Sequence, residues 1–205
     1  MASSDELTAE LCARAARLVV EEGLDYAAAK RRALRDLGPQ AGRGAALPPN
    51  EQVEDAVREH IALFHADTQP AELAALRGLA LRWMDRLAEF RPYLGGAVWR
   101  GTATRLSAVL IDLYCDDVKA AEIGFLNLGI AFESHSDPGD EEPVLSVEAR
   151  CPELGEMVSI HFIVHDHDEL RGALKPDARG QTWRGDAAAL RQRLARAESG
   201  SGDPR

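Results

Sequence analysis

The clearest pattern in the chain is a single stripe. Leu73, Leu76, Ala80, Trp83, Leu87 and Phe90 recur at alternating spacings of three and four, which puts them on one face of a helix. Arg91-Pro92 closes it, because proline pushes the preceding residue out of helical geometry. Three shorter helices are predicted upstream. Leu7, Leu11, Ala15 and Leu18 keep one face apolar behind a Ser3-x-x-Glu6 capping box until Gly23 stops the first. Asp25 can cap the second, Tyr26 to Leu37, which ends at Gly38-Pro39; Gln40 to Pro49 then reads as a Gly/Pro/Ala linker. The third begins at Asn50 and carries Val53, Val57, Ile61 and Phe64.

Beyond Pro92 the period changes. Ser107 to Tyr114 is short and rich in β-branched and aromatic residues, as a strand should be, and Asp116-Asp117 then opens a helix that ends near Leu128-Gly129. Ile130 to His135 reads as a strand, and Pro138-Gly139-Asp140 as an acidic loop. Val144 to Arg150 and Met157 to His165 are strands joined through Pro152 to Gly155 as a hairpin, and Asp186 caps a last helix running to about Arg196. Helices first, then helices mixed with strands, predict an α+β protein. Its expected parts are an N-terminal helical region at 1–68, a mixed-sheet domain with flanking helices at 69–197 and a loose tail at 198–205.

Composition narrows the class. Of the 205 residues, 45% are hydrophobic and 28% charged, the balance of an ordinary globular chain rather than of a disordered polyampholyte. No apolar run approaches the roughly 18 residues of a membrane span, and the opening residues carry acids where a secretory signal carries bases. Cys12, Cys115 and Cys151 form no CxxC pair, so the expected setting is reducing and cytoplasmic, with no structural zinc.

Charge is unevenly placed. Between Glu133 and Glu169 eleven acids face one base, Arg150, so this segment alone accounts for the whole net charge of -10. The rest balances, and no basic stripe advertises a phosphate backbone.

The stretch from Leu94 to Tyr114 carries the most chemistry. Gly95 and Gly96 at a strand end, then Arg100-Gly101-Thr102-Ala103, then Ser107 entering another strand, would let backbone N–H groups approach a polyphosphate closely. The bland alternative is a tight surface turn. Asp112, inside an apolar run, is either a functional carboxylate or a paired structural acid, and Lys119 is either a phosphate ligand or a solvated helix lysine. His161, His165 and His167 share strand parity and would suit a transition metal; alternatively Asp166 or Asp168 caps a short helix over Glu169 to Leu174.

Here the sequence resembles the nucleotidyltransferase superfamily, the polymerase-beta-like group, whose small bacterial members show Gly-Ser-x-x-Arg-Gly-x-Ala-x-x-x-Ser-Asp-x-Asp-Leu. Gly96, Arg100, Gly101, Ala103 and Ser107 match, while Ala97 stands in place of the serine. From about Ala13 to Ala195 the chain also looks like a group of small proteobacterial proteins of that superfamily. The resemblance implies an N-terminal helical region followed by a nucleotidyltransferase-like mixed sheet. It implies an activity too, transfer of a nucleoside monophosphate from an NTP to a hydroxyl acceptor with Mg²⁺. Gly95, Gly96, Arg100, Gly101, Thr102, Ser107 and Lys119 would hold the nucleotide, and Asp112 with Glu148 would hold the metal and act in catalysis.

The two leading metal positions of that motif fall on Ala108 and Leu110, which are apolar. The alternative reading is therefore a catalytically inactive nucleotidyltransferase-like module that binds a nucleotide or a protein partner. Ala15 to Leu24 resembles the first helix of TetR-type repressors, with Lys30, Arg31, Arg32 and Arg35 on the next. A linker follows where the third helix should, so DNA binding is not expected.

Overall fold

In the computed structural model, which describes residues 4–38, 46–135, 143–170, 180 and 182–200, the chain divides into two units. One is Met1–Ala71 with Thr102–Ser107; the other is Glu72–Gly101 with Ala108–Arg205. Seven α-helices and one five-stranded mixed sheet make up the described residues.

The first unit is built on α1 (Ser4–Glu22), α2 (Tyr26–Asp36) and α3 (Asn50–Phe64). Leu11, Ala15, Leu18 and Val19 of α1 are buried with Ala29 and Ala33 of α2 and with Val53, Val57 and Ile61 of α3. Small residues on α2 let that helix lie close. Asp25 caps α2 as its sequence position predicts, its carboxylate accepting from Ala28 N at 2.7 Å. Lys30, one of the basic residues of α2, donates instead to Pro48 O and Asn50 Oδ1, at 3.1 and 2.8 Å. The segment Thr102–Ser107 is pinned here by two side chains: Gln69 Nε2 donates to Ala103 O at 2.8 Å, and Thr104 Oγ1 to Val20 O at 3.4 Å. The Ser3 capping box and most of the linker lie outside the described residues.

The second unit holds the sheet. α4 (Gln69–Arg86) leads through a 3-10 turn at Ala88–Phe90 into β1 (Tyr93–Leu94), α5 (Gly96–Arg100) and β2 (Val109–Cys115). Then come α6 (Val118–Asn127), β3 (Glu133–His135), β4 (Val144–Cys151), β5 (Glu156–Asp166), a 3-10 turn at His167–Glu169, and α7 (Ala187–Gly200). Strand order is β1-β2-β5-β4-β3; β2 and β5 run parallel and the other pairs antiparallel. Alternation along each strand sorts the residues onto two faces. Ile111 and Leu113 of β2, Ile160 and Phe162 of β5 and Leu145 of β4 are fully buried on one, where Trp83 of α4 and Phe125 of α6 meet Phe162. The other face carries Leu110, Asp112 and Tyr114, then His161, Ile163 and His165, then Ser146 and Glu148.

Several element ends differ from the pattern, each for a local reason. The stripe of α4 continues to Phe90, but the α-helix stops at Arg86 because Leu87 leaves helical geometry at φ -107°, and the 3-10 turn that follows is closed by Arg91, left-handed with φ 47° ahead of Pro92. β2 begins at Val109 rather than Ser107, whose hydroxyl closes a turn by accepting from Thr104 N. The strand expected from Ile130 starts at Glu133, because α6 ends in a Schellman motif: Ile130 N reaches Phe125 O, Gly129 N reaches Leu126 O, and Gly129 has φ +65°. α7 runs past Arg196 to Gly200, and residues 201–205 lie outside the described set, as do the acidic loop at 138–140 and the short helix expected beyond Leu170.

Candidate functional site

Asp112 lies at the centre of β2 on the polar face of the sheet, 5% exposed. A carboxylate this far from water must be paired, and it is. His165, on the neighbouring parallel strand, places Nε2 2.7 Å from Asp112 Oδ1. Arg184, in the segment before α7, brings Nε to 3.4 Å from Oδ2. Arg184 also donates to the Tyr114 hydroxyl. Tyr114 in turn stacks on the His165 ring, 5.0 Å between centroids and 18° between planes, and meets Tyr93 edge-on at 5.6 Å. The remaining ring nitrogen of His165, Nδ1, sits 3.4 Å from Glu169 Oε2. Burial pushes the Tyr114 phenol up, and the hydrogen bond from Arg184 pulls against that. Tyr93 is raised as well, by burial and then by Asp186.

The glycine pair packs directly against this cluster. Gly95 N donates to Leu110 O at 3.0 Å, and a Cβ on Gly95 would lie 3.3 Å from Asp112 Oδ2. Gly96 adopts φ +61° over Leu110, whose Cδ1 would be 2.9 Å from an added Cβ, so both conformation and space require glycine there.

The other residues singled out in the sequence are placed as follows. Arg100, at the last position of α5, stacks on the Trp183 ring with Cζ 4.2 Å from its centroid. Gly101 ends α5 with φ +87°. Thr102 is buried in the segment that belongs to the first unit, and Ser107 Oγ in the same segment is engaged by Thr104 N at 3.0 Å. Lys119 is exposed on α6, its backbone N–H capping onto Asp117 Oδ1.

Glu148 is held elsewhere. Ser159 donates to its Oε1 at 2.5 Å, and the two residues face each other across β4 and β5. Asp112 is level with Ile163, four residues further along β5 and on the far side of it. At about 3.3 Å per residue and about 4.8 Å per strand, the two α-carbons are roughly 16 Å apart. The pairing register therefore separates the carboxylates that the resemblance would join in one clamp. Mg²⁺ asks for oxygen ligands grouped within one small sphere; the sheet offers Asp112 alone at this point, with a cation or an imidazole already against each of its oxygens, a donor set that does not fit a two-metal centre. Nor is the histidine grouping realised: His161 Nδ1 pairs with Ser146 Oγ at 2.9 Å, and among the described residues no three His, Cys, Asp or Glu are arranged to hold a metal. Asp166 does cap a turn, accepting from Asp168 N at 2.9 Å.

Sequence reasoning did not single out Arg184, Tyr114, Trp183 or Trp99. The only local signal was Trp183-Arg-Gly-Asp186 ahead of the last helix, which places an aromatic, a cation and a cap within four residues. Comparison of the chain with family models, with curated proteins and with solved structures returns no match.

Proposed function

We propose that this chain is a nucleotide-binding module on a nucleotidyltransferase-like plan, without metal-dependent transfer. The observation that carries the reading is the closed state of Asp112, whose two oxygens face His165 and Arg184 while Glu148 is bonded to Ser159. Binding is supported by the Gly95-Gly96 turn laid against the same cluster and by Arg184, whose side chain remains 26% exposed and keeps donors beyond those facing Asp112 and Tyr114. A triphosphate here would be met by the Arg184 guanidinium rather than by a divalent ion.

Titration calorimetry with ATP, GTP, CTP and UTP tests this. The expected result is saturable binding that is the same with Mg²⁺, with Mn²⁺ and with chelator, no release of pyrophosphate, and loss of binding in Arg184→Ala. Pyrophosphate release would return the chain to the transferases, and absence of binding by every triphosphate would remove the nucleotide altogether. In the double variant Ala108→Asp, Leu110→Asp, binding is expected to become Mg²⁺-dependent, since both substitutions fill the positions at which the superfamily motif places acids.

A further inference from the structure

Helix α6 is apolar on two sides, and the second unit uses one of them. On the inner side Ala121 and Phe125 are fully buried, and Gly124 lies so close to the Phe90 ring that no Cβ would fit there. On the outer side Ala120, Ile123 and Leu126 follow one another at spacings of three, Ile123 55% and Leu126 66% exposed, and Leu128 extends the patch past the end of the helix. Of the residues of α6 only Lys119, Glu122 and Asn127 are polar. A helix that is apolar all round is ordinarily covered on every side, and a contiguous apolar patch on a surface marks a place of contact.

The charges along α6 suit a partner better than they suit the helix itself. A helix N-terminus disfavours a cation and a C-terminus favours one. Asp117 caps α6, but the first turn holds no acid and carries Lys119, which is exposed and whose ammonium meets no carboxylate among the described residues. The last turn holds no base. Arg86 of α4 donates to Leu128 O, past the end of the helix, and no residue of α6 serves its own last turn. An antiparallel second α6 would bring each Lys119 to the end that lacks a base.

We propose that the outer face of α6 is the surface through which two copies of this chain pair, antiparallel about a twofold axis at Ile123. Such an axis joins residues that stand equally far before and after it. Ile123 lies against its counterpart, Leu126 against Ala120 and the methylene stem of Lys119, and the Lys119 ammonium against the Asn127 end of the opposite helix, each contact made twice. Large side chains meet small ones and a cation meets the negative end of a dipole. That fit belongs to the helix and its own copy, which is why a second copy rather than an unrelated protein is the occupant. The ten residues of α6 span about 15 Å, so the contact is small and the pair is of the weak, reversible class. Neither Asp112 nor the glycine turn takes part.

The test is sedimentation velocity of the full chain from about 1 to 500 µM, at about 150 mM salt so that the net charge of -10 is screened. The expected result is a reversible monomer–dimer equilibrium with a midpoint on the order of tens of µM. It should be lost in Ile123→Asp, which sets two carboxylates face to face, and weakened about tenfold in Lys119→Glu, because the twofold axis counts that charge twice. Both side chains are exposed, and Lys119→Glu decides the matter should Ile123→Asp fail to fold, as circular dichroism would reveal. Under mild oxidation Ile123→Cys is expected to give a disulfide-linked dimer, since the axis brings the two α-carbons within disulfide reach; Leu63→Cys, exposed in the first unit, is not. A monomer at every concentration, a dimer indifferent to both charge variants, or Leu63→Cys linking as fast as Ile123→Cys would each overturn the proposal.

Discussion

Asp112, His165 and Arg184 form a buried charge group whose members answer to one another. Removing one partner strands the rest without water, which costs more than the group contributes when whole. Asp112→Asn is expected to lower the unfolding free energy by about 3–5 kcal/mol, read by urea titration, and to release the Arg184 side chain. Gly185→Ala is the steric counterpart. Its Cβ would fall 2.0 Å from Trp99 Cη2, so the ring or the backbone must move, at about 1–3 kcal/mol; a red-shifted tryptophan emission together with a lower midpoint would register it. That Asp112 mattered was legible in the sequence, because an acid in the apolar run from Val109 to Tyr114 demands explanation. Its partners were not. They lie 53 and 72 residues further on, and nothing in local pattern says that β2 and β5 are neighbours.

At the level of elements, the helices of the first half were readable because each writes its burial at a period near 3.6, and the hairpin of β4 and β5 because two alternating runs flank a four-residue turn. β1 has two residues and α5 has five, too few for any period to show. The parallel pairing of β2 with β5 also decides where Glu148 ends up, which is why the candidate clamp could be named from the sequence but not tested there. β5 carries a pH-dependent residue on its polar face. Burial lowers His161 below its ordinary value, partly opposed by Glu148 and reinforced by His135. The unfolded chain therefore binds this proton more readily than the folded one. Stability from His161 is full above the ordinary histidine range and is lost as pH falls through the lowered value. Unfolding midpoints measured from pH 8 down to pH 5 should show this decline, and His161→Gln should flatten it.

For the whole molecule the governing quantity is a net charge of -10 concentrated between Glu133 and Glu169. Some of that charge is tied down. Arg82 of α4 makes two bonds to Glu153 in the turn between β4 and β5, at 2.8 and 3.2 Å, and the guanidinium holds this carboxyl at about 2. The pair keeps its contribution above the normal carboxylate range and loses it as pH falls through about 2, so it outlasts His161 on acidification. With Glu153 46% exposed, solvent and salt screen it, and Glu153→Gln is expected to cost less than about 1 kcal/mol near neutrality, an amount that shrinks in high salt. No helix among the described residues is long and apolar enough to cross a membrane.

The exchange of two backbone hydrogen bonds between Leu94 and Gly185, at 2.8 and 3.0 Å, reaches beyond the cluster it holds together. Without it the two residues of β1 would leave a ragged margin of free amides, the kind of border on which a second chain can build. With it that margin is hemmed by the molecule's own thread. At the opposite border the described residues of β3 display Glu133 and His135, a poor template for growth, so stacking of one copy on another through these residues is discouraged as well.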